Sequence, residues 1–147
     1  MSAAVETIFD QIDTPIGGVH PTEVMNVWDK VLPLLQRVVK PESGYNLDHV
    51  LTKLQLAHWQ LWIMGDFQAV AITEIQIRPL HKVLWCQFVA GDNVDDWLDD
   101  WEKVMSEYAK SYDCAAVEWS GRRGWAKFQQ KYRNIYKAVM TTYRKEL

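Results

Sequence analysis

An apolar strand pattern gives way to an amphipathic helix pattern through Gly91-Asp92-Asn93-Val94-Asp95-Asp96. Such a junction is a ready anion site, because first-turn N–H groups lack intrahelical acceptors and the helix dipole turns its positive end there. Here the junction carries Asp92, Asp95 and Asp96, so an anionic ligand would meet like charges. Two unit charges about 4 Å apart interact by about 1 kcal/mol in water and by more near a protein surface. The same acids also have an ordinary structural use beside the positive end of a helix. Two further carboxylates, Glu74 and Glu118, fall within strand-forming segments: Glu74 either faces solvent or lines a cleft, and Glu118 in the plain structural reading is an exposed strand glutamate. Tyr132 stands four residues after Phe128 on a helical pattern and packs with it in the plain structural reading. Cys86 and Cys114 are isolated thiols, without a His or Asp pattern that would activate either as a nucleophile. His20, His49, His58 and His81 are scattered, and no metal site is expected.

The elements that hold these residues fit one domain over 1–147, with 1–20 as an N-terminal extension. Val5, Ile8, Phe9 and Ile12 follow the spacing of a short amphipathic helix, which Thr14-Pro15 and Gly17-Gly18 break. Thr22 then caps a second helix through about Val39, with Pro33 kinking or breaking it near Leu32. Leu47, Val50, Leu51 and Leu54 mark a third helix, capped by Asn46 or Asp48. Strands over 59–64, 69–77 and 83–90 are joined by short turns, as in an antiparallel meander. Val94, Trp97, Leu98, Trp101, Val104, Met105 and Tyr108 trace the clearest helix of the chain, capped by Asp92 or Asn93. A strand over 114–120 returns parallel to 83–90, since a helix crosses between them. Gly121-Arg122-Arg123-Gly124 opens another helix with Trp125, Phe128 and Tyr132 inward, and a last strand covers about 135–143. The fold class is α+β, an α/β sandwich. Its central sheet is mixed and mostly antiparallel, and the N-terminal helices and two later helices pack on it.

Bulk properties narrow the function classes. An apolar content of 48% and a charged content of 24% are those of a globular domain. No apolar run reaches the roughly 18 residues that would span a bilayer, and the acidic N-terminus lacks the basic start of a secretory signal. Net charge is −3, but eight of the basic residues lie from Arg122 onward against Glu146 alone. That basic segment either balances the acids near 92–102 or offers a surface to an anionic partner. Five of the eight tryptophans lie between Trp85 and Trp125, which suits a dense core or an assembly interface.

Helices followed by β-β-β-α-β-α-β resemble the GCN5-related N-acetyltransferase (GNAT) fold. The likeness is carried by Gln60-Leu61-Trp62, Ala71-Ile72-Thr73-Glu74-Ile75, Trp97 and Gly121-Arg122-Arg123-Gly124-Trp125. More narrowly, the chain is similar to small GNAT-like proteins encoded by bacteriophages, some of whose relatives belong to virions. The resemblance implies an acyl-CoA site at Val89, Gly91, Asn93 and Val94, with Glu118 or Glu74 as base and Tyr132 as acid. The family's pyrophosphate loop is patterned Gln/Arg-x-x-Gly-x-Gly/Ala. Here only Gly91 remains of it, no Arg or Gln leads it, and acids are added.

Three expectations follow. One is a non-catalytic scaffold without a cofactor, located in a virion or the host cytoplasm and acting through protein contacts with phage structural proteins or its own copies. Its surface would use Val5, Ile8, Phe9, Ile12, Arg122 and Arg123. The alternative is an acetyl-CoA-dependent N-acetyltransferase acting on an amine. A weaker third expectation is nucleic-acid contact through the basic C-terminal segment.

Overall fold

The computed structural model describes residues 14–120, 138–140 and 142–147. The expected N-terminal helix with Val5, Ile8, Phe9 and Ile12 lies outside the described residues. So do Arg122, Arg123, Tyr132 and the helix assigned to them.

Five strands form one sheet in sequence order: β1 (Ile16–Val19), β2 (Gln60–Met64), β3 (Ala69–Ile77), β4 (Lys82–Gly91) and β5 (Ala116–Trp119). The first four pair antiparallel and β5 runs parallel to β4, so the sheet is mixed and mostly antiparallel. β1 corrects the expectation that Gly17-Gly18 only breaks the chain. Paired against Ile63 and Trp62, the two glycines sit in an edge strand. An added methyl at Gly17 would meet nothing, and at Gly18 only the face of Trp62. Glycine weakens strand propensity, but the ladder to β2 and the burial of Ile16 outweigh it here.

Helices cover both faces. α1 (Val24–Leu35) and α2 (Leu47–Gln55) bury Val24, Trp28, Val31, Leu35, Val50 and Leu54 against Trp59, Leu61, Val70, Ile72, Phe88 and Ala90. α3 (Val94–Ser111) buries Trp97, Leu98, Trp101, Val104 and Met105 against Ile16, Trp62, Met64, Ala71, Leu84 and Cys86 on the other face. Thr22 does not cap α1. It lies in a 3₁₀ turn (Pro21–Glu23) whose cap is His20, through an Nδ1 that accepts from the Thr22 amide. α1 also ends at Leu35 rather than Val39. Pro33 removes a donor from its last turn, and Arg37 and Val38 then bond the tighter i−3 carbonyls of Leu34 and Leu35. Asn46 caps α2 in a reciprocal box with His49.

The last expected strand, over 135–143, is corrected in its described part. Residues 138–140, 142 and 143 take no regular structure, and Val139, Met140 and Tyr143 stand exposed. Strand propensity expresses itself only where a pleated surface is there to pack on.

Candidate functional site

The central feature is a parity change in β4. Register runs Ile72↔Phe88 and then Thr73↔Cys86, so Gln87 is an extra residue opposite no partner in β3. A bulge moves every side chain beyond it to the other face and bends the strand. Leu84 and Cys86 accordingly pack toward α3, whereas Phe88 and Ala90 pack toward α1 and α2.

On its other edge β4 is joined to β5 only from Val83↔Ala116 to Cys86↔Trp119. Among the described residues, β4 then continues to Gly91 with no ladder partner on that side. A cavity of about 560 Å³ opens there. It is lined by Gln87, Val89 and Gly91 of β4, by Trp119 and Ser120 at the end of β5, and by Trp97 and Trp101 of α3. Arg37, Lys40, Glu42 and Ser43 line it from the stretch between α1 and α2.

The acids at the β4–α3 turn do not point into this space. Asp92 is paired with Arg37, Oδ1 to Nη2 at 3.2 Å and Oδ2 to Nη1 at 3.4 Å. Asp96 accepts from the side-chain amide of Gln68, and the buried Asp100 accepts from the Thr14 backbone at 2.9 Å. Neither Asp92, Asp95, Asp96 nor Asp100 lines the cavity. The expected crowd of negative charge in the cradle is thus corrected: Asp92 ties the β4–α3 turn to the segment just beyond α1, Asp96 ties α3 to the β2–β3 turn, and Asp100 ties α3 to the residue pair before β1. Asn93 caps α3 in a left-handed conformation (φ 54°) without a side-chain bond, while the Asp92 carbonyl accepts from Trp97 Nε1 at 2.9 Å.

Of the residues assigned from the sequence, Val89, Gly91 and Val94 line the cavity and Asn93 stands at the turn between them. Glu118 does not line it. Both of its oxygens are held by Arg78, at 2.9 and 3.2 Å, and Arg78 also bonds Gln76. Glu74 accepts from Trp59 Nε1 on the face covered by α1 and α2. The carboxylates that do line the cavity, among the described residues, are Glu42 and Glu102, the latter accepting from Ser106 at 2.8 Å. Sequence reasoning missed these two together with Arg37 and Lys40. Nothing in their local pattern marks them: Arg37, Lys40 and Glu42 lie beyond α1 and meet β4 only through the tertiary fold, and Glu102 is one acid among several on α3.

Burial pushes the Cys86 thiol up to about 12, so it stays protonated and is no nucleophile at neutral pH. Burial also raises Cys114, though that thiol is partly accessible. Native protein is therefore expected to release one equivalent of thiol to Ellman's reagent slowly and the second only on unfolding. Rapid modification of both would overturn this placement. Among the described residues no cluster of three or more His, Cys, Asp or Glu side chains stands close enough to hold a metal ion.

No protein-family model and no curated protein matches the sequence; the likeness is to solved structures. A ribosomal-protein-alanine N-acetyltransferase from Brucella melitensis biovar Abortus 2308 superposes with a TM-score of 0.66 at 13% identity, over 92% of this chain and 99% of that one. A Trypanosoma brucei acetyltransferase gives 0.63 at 16% identity, over 92% and 100%. An aminoglycoside acetyltransferase from an uncultured soil metagenomic sample gives 0.64 at 10%, over 91% and 97%. At these identities the likeness is one of fold. The mixed five-stranded sheet with helices on both faces is the fold of the GNAT acetyltransferases.

Proposed function

We propose that the chain is an acetyl-CoA-dependent N-acetyltransferase acting on an amine. One observation carries this reading: among the described residues β5 pairs with β4 only as far as Cys86↔Trp119, and beyond that point Gln87, Val89 and Gly91 of β4 line a cavity that Arg37 and Lys40 also line. Backbone N–H and C=O groups on an unpaired strand edge suit an extended, amide-bearing arm, which can add to the sheet as a peptide strand does. Arg37 and Lys40 line the cavity and suit the phosphates of such a coenzyme, Arg37 once it is released from Asp92, while Asp92, Asp95 and Asp96 do not themselves line it. The residues present therefore fit the group. Structures of the same fold include enzymes named for N-acetylation and for aminoglycoside acetylation.

When bound, acetyl-CoA supplies an activated acetyl group: a C–N bond forms to the amine, the thioester C–S bond breaks, one proton leaves the nitrogen and one joins the sulfur. The chain's own part is to hold the coenzyme on the edge of β4, to exclude water with Trp97, Trp101 and Trp119, and to provide a base. Glu42 and Glu102 face the cavity and are the better placed carboxylates for that base, since Glu118 is spanned by Arg78.

Calorimetric titration with acetyl-CoA is the test. Micromolar binding is expected, with an affinity at least tenfold weaker, about 1.4 kcal/mol, in Ser120→Trp, whose indole would fill the slot from its exposed rim. No heat and no thermal shift with acetyl-CoA would sink the proposal. A scaffold working through protein contacts, in a phage particle or elsewhere, would then be the better account.

A further inference from the structure

We propose that Arg37 is the cation that takes a coenzyme's diphosphate, and that Asp92 competes with the diphosphate for it. This rests on the coenzyme reading above and deepens it. Arg37 lies just beyond α1, where its backbone is fixed by the bond from its amide to Leu34 and those from Val38 and Val39 to Leu35. Its side chain lines the cavity beside Gly91 and Val94. Asp92 is the residue next to Gly91, and its carboxylate bridges both guanidinium Nη atoms at 3.2 and 3.4 Å. The pair therefore closes the rim of the slot at the turn from which α3 starts.

Three features make the exchange easy. First, the pair is open to water: the side chains are 49% and 68% exposed, so water and salt screen their attraction and breaking it costs little. Second, a guanidinium presents two parallel N–H groups, which match two phosphate oxygens as well as they match a carboxylate, and a diphosphate brings more charge. Third, Lys40 is a second cation on the same rim, and among the described residues its ammonium is bonded to the Gln36 carbonyl. It can join Arg37 without giving up a carboxylate. In the free protein Asp92 thus occupies Arg37, and on binding the freed carboxylate turns outward to solvent. The effect is to lower coenzyme affinity by the strength of the internal pair.

The experiment is calorimetric titration of wild type, Asp92→Asn, Arg37→Gln and the double variant, each with acetyl-CoA and with S-acetylpantetheine, which lacks the diphosphate. Asp92→Asn is expected to bind acetyl-CoA about fivefold tighter and Arg37→Gln about tenfold weaker. The double variant should match Arg37→Gln alone, because Asp92 acts only through Arg37. No substitution should change the affinity for S-acetylpantetheine. Melting temperatures should agree within about 2 °C, since the pair is at the surface. If wild type binds acetyl-CoA but Asp92→Asn is unchanged or weaker, the competition is refuted and the coenzyme reading stands. Equal shifts with both ligands would also refute it, since the effect would then not lie at the diphosphate. If wild type binds neither ligand, both readings fall.

Discussion

Trp97→Ala is expected to be the most damaging single change in the described core, lowering stability by about 3–5 kcal/mol. For a chain of this length that corresponds to a melting temperature lower by roughly 10 °C or more. Trp97 has no solvent exposure, lies in the first turn of α3 and packs into the cluster between α3 and the sheet. Its removal would leave a cavity beside Leu98 and Trp101 that two rigid partners, a helix and a strand, cannot close. The indole also has a polar role, since Nε1 donates to the Asp92 carbonyl at 2.9 Å and so fixes the turn between β4 and α3. Trp97→Phe separates the two contributions. It keeps most of the buried ring but strands a carbonyl, and should cost about 1–2 kcal/mol. Chemical denaturation of the two variants measures the difference. If Trp97→Phe proves as harmful as Trp97→Ala, the hydrogen bond outweighs the packing and the expected order is reversed.

Much of the fold was legible because its signals are local and periodic. Trp97, Leu98, Trp101, Val104 and Met105 mark one face of α3, and all five are buried. Short turns around Gly65 and Pro79 marked β2, β3 and β4 as a meander, and the intervening helix marked β5 as parallel. β1 was illegible for the opposite reason. Four residues with two central glycines carry no pattern, and only the presence of β2 makes them a strand. The site was half legible. Its position after β4 could be read from the strand–turn–helix order, and Val89, Gly91 and Val94 do line the cavity. Its electrostatics could not. A run of Asp92, Asp95, Asp96 and Asp100 looks like one negative patch along the chain, yet in space Arg37, Gln68 and the Thr14 amide separate its members. The partners of a charge are set by tertiary structure, and two of these three lie more than fifty residues away. Gln87 likewise gives no sequence sign that it is the bulged residue which shifts the register of β4 against β3.

Gly91→Ala should separate a packing glycine from a phosphate-loop glycine. In a phosphate cradle the missing side chain lets a ligand approach, so an added methyl would lower coenzyme affinity and leave stability alone. At Gly91 the obstacle is the protein itself. An added Cβ would lie 2.2 Å from the Ala69 Cβ, 2.5 Å from the Ala69 Cα and 2.7 Å from the Gln68 carbonyl oxygen. Gly91 is paired with Ala69 in the register, so relief requires β3 and β4 to separate at their ends. That separation would break the bond from the Asp92 amide to the Gln68 carbonyl and displace the turn that positions Asp92 and Val94. Overpacking of this kind costs about 1–3 kcal/mol, and here the upper end is expected because two of the opposing atoms are backbone. Gly17→Ala is the matched control: its methyl would meet nothing within 4 Å, and a change within about 0.5 kcal/mol is expected. Combining Gly91→Ala with Ala69→Gly removes the closest clash but not the one with the Ala69 Cα, so only partial rescue should be seen in a double-mutant cycle. Undiminished stability of Gly91→Ala with weakened acetyl-CoA binding would return Gly91 to the role of a ligand-facing glycine. A loss of stability that Ala69→Gly partly restores would assign it to the seam between β3 and β4.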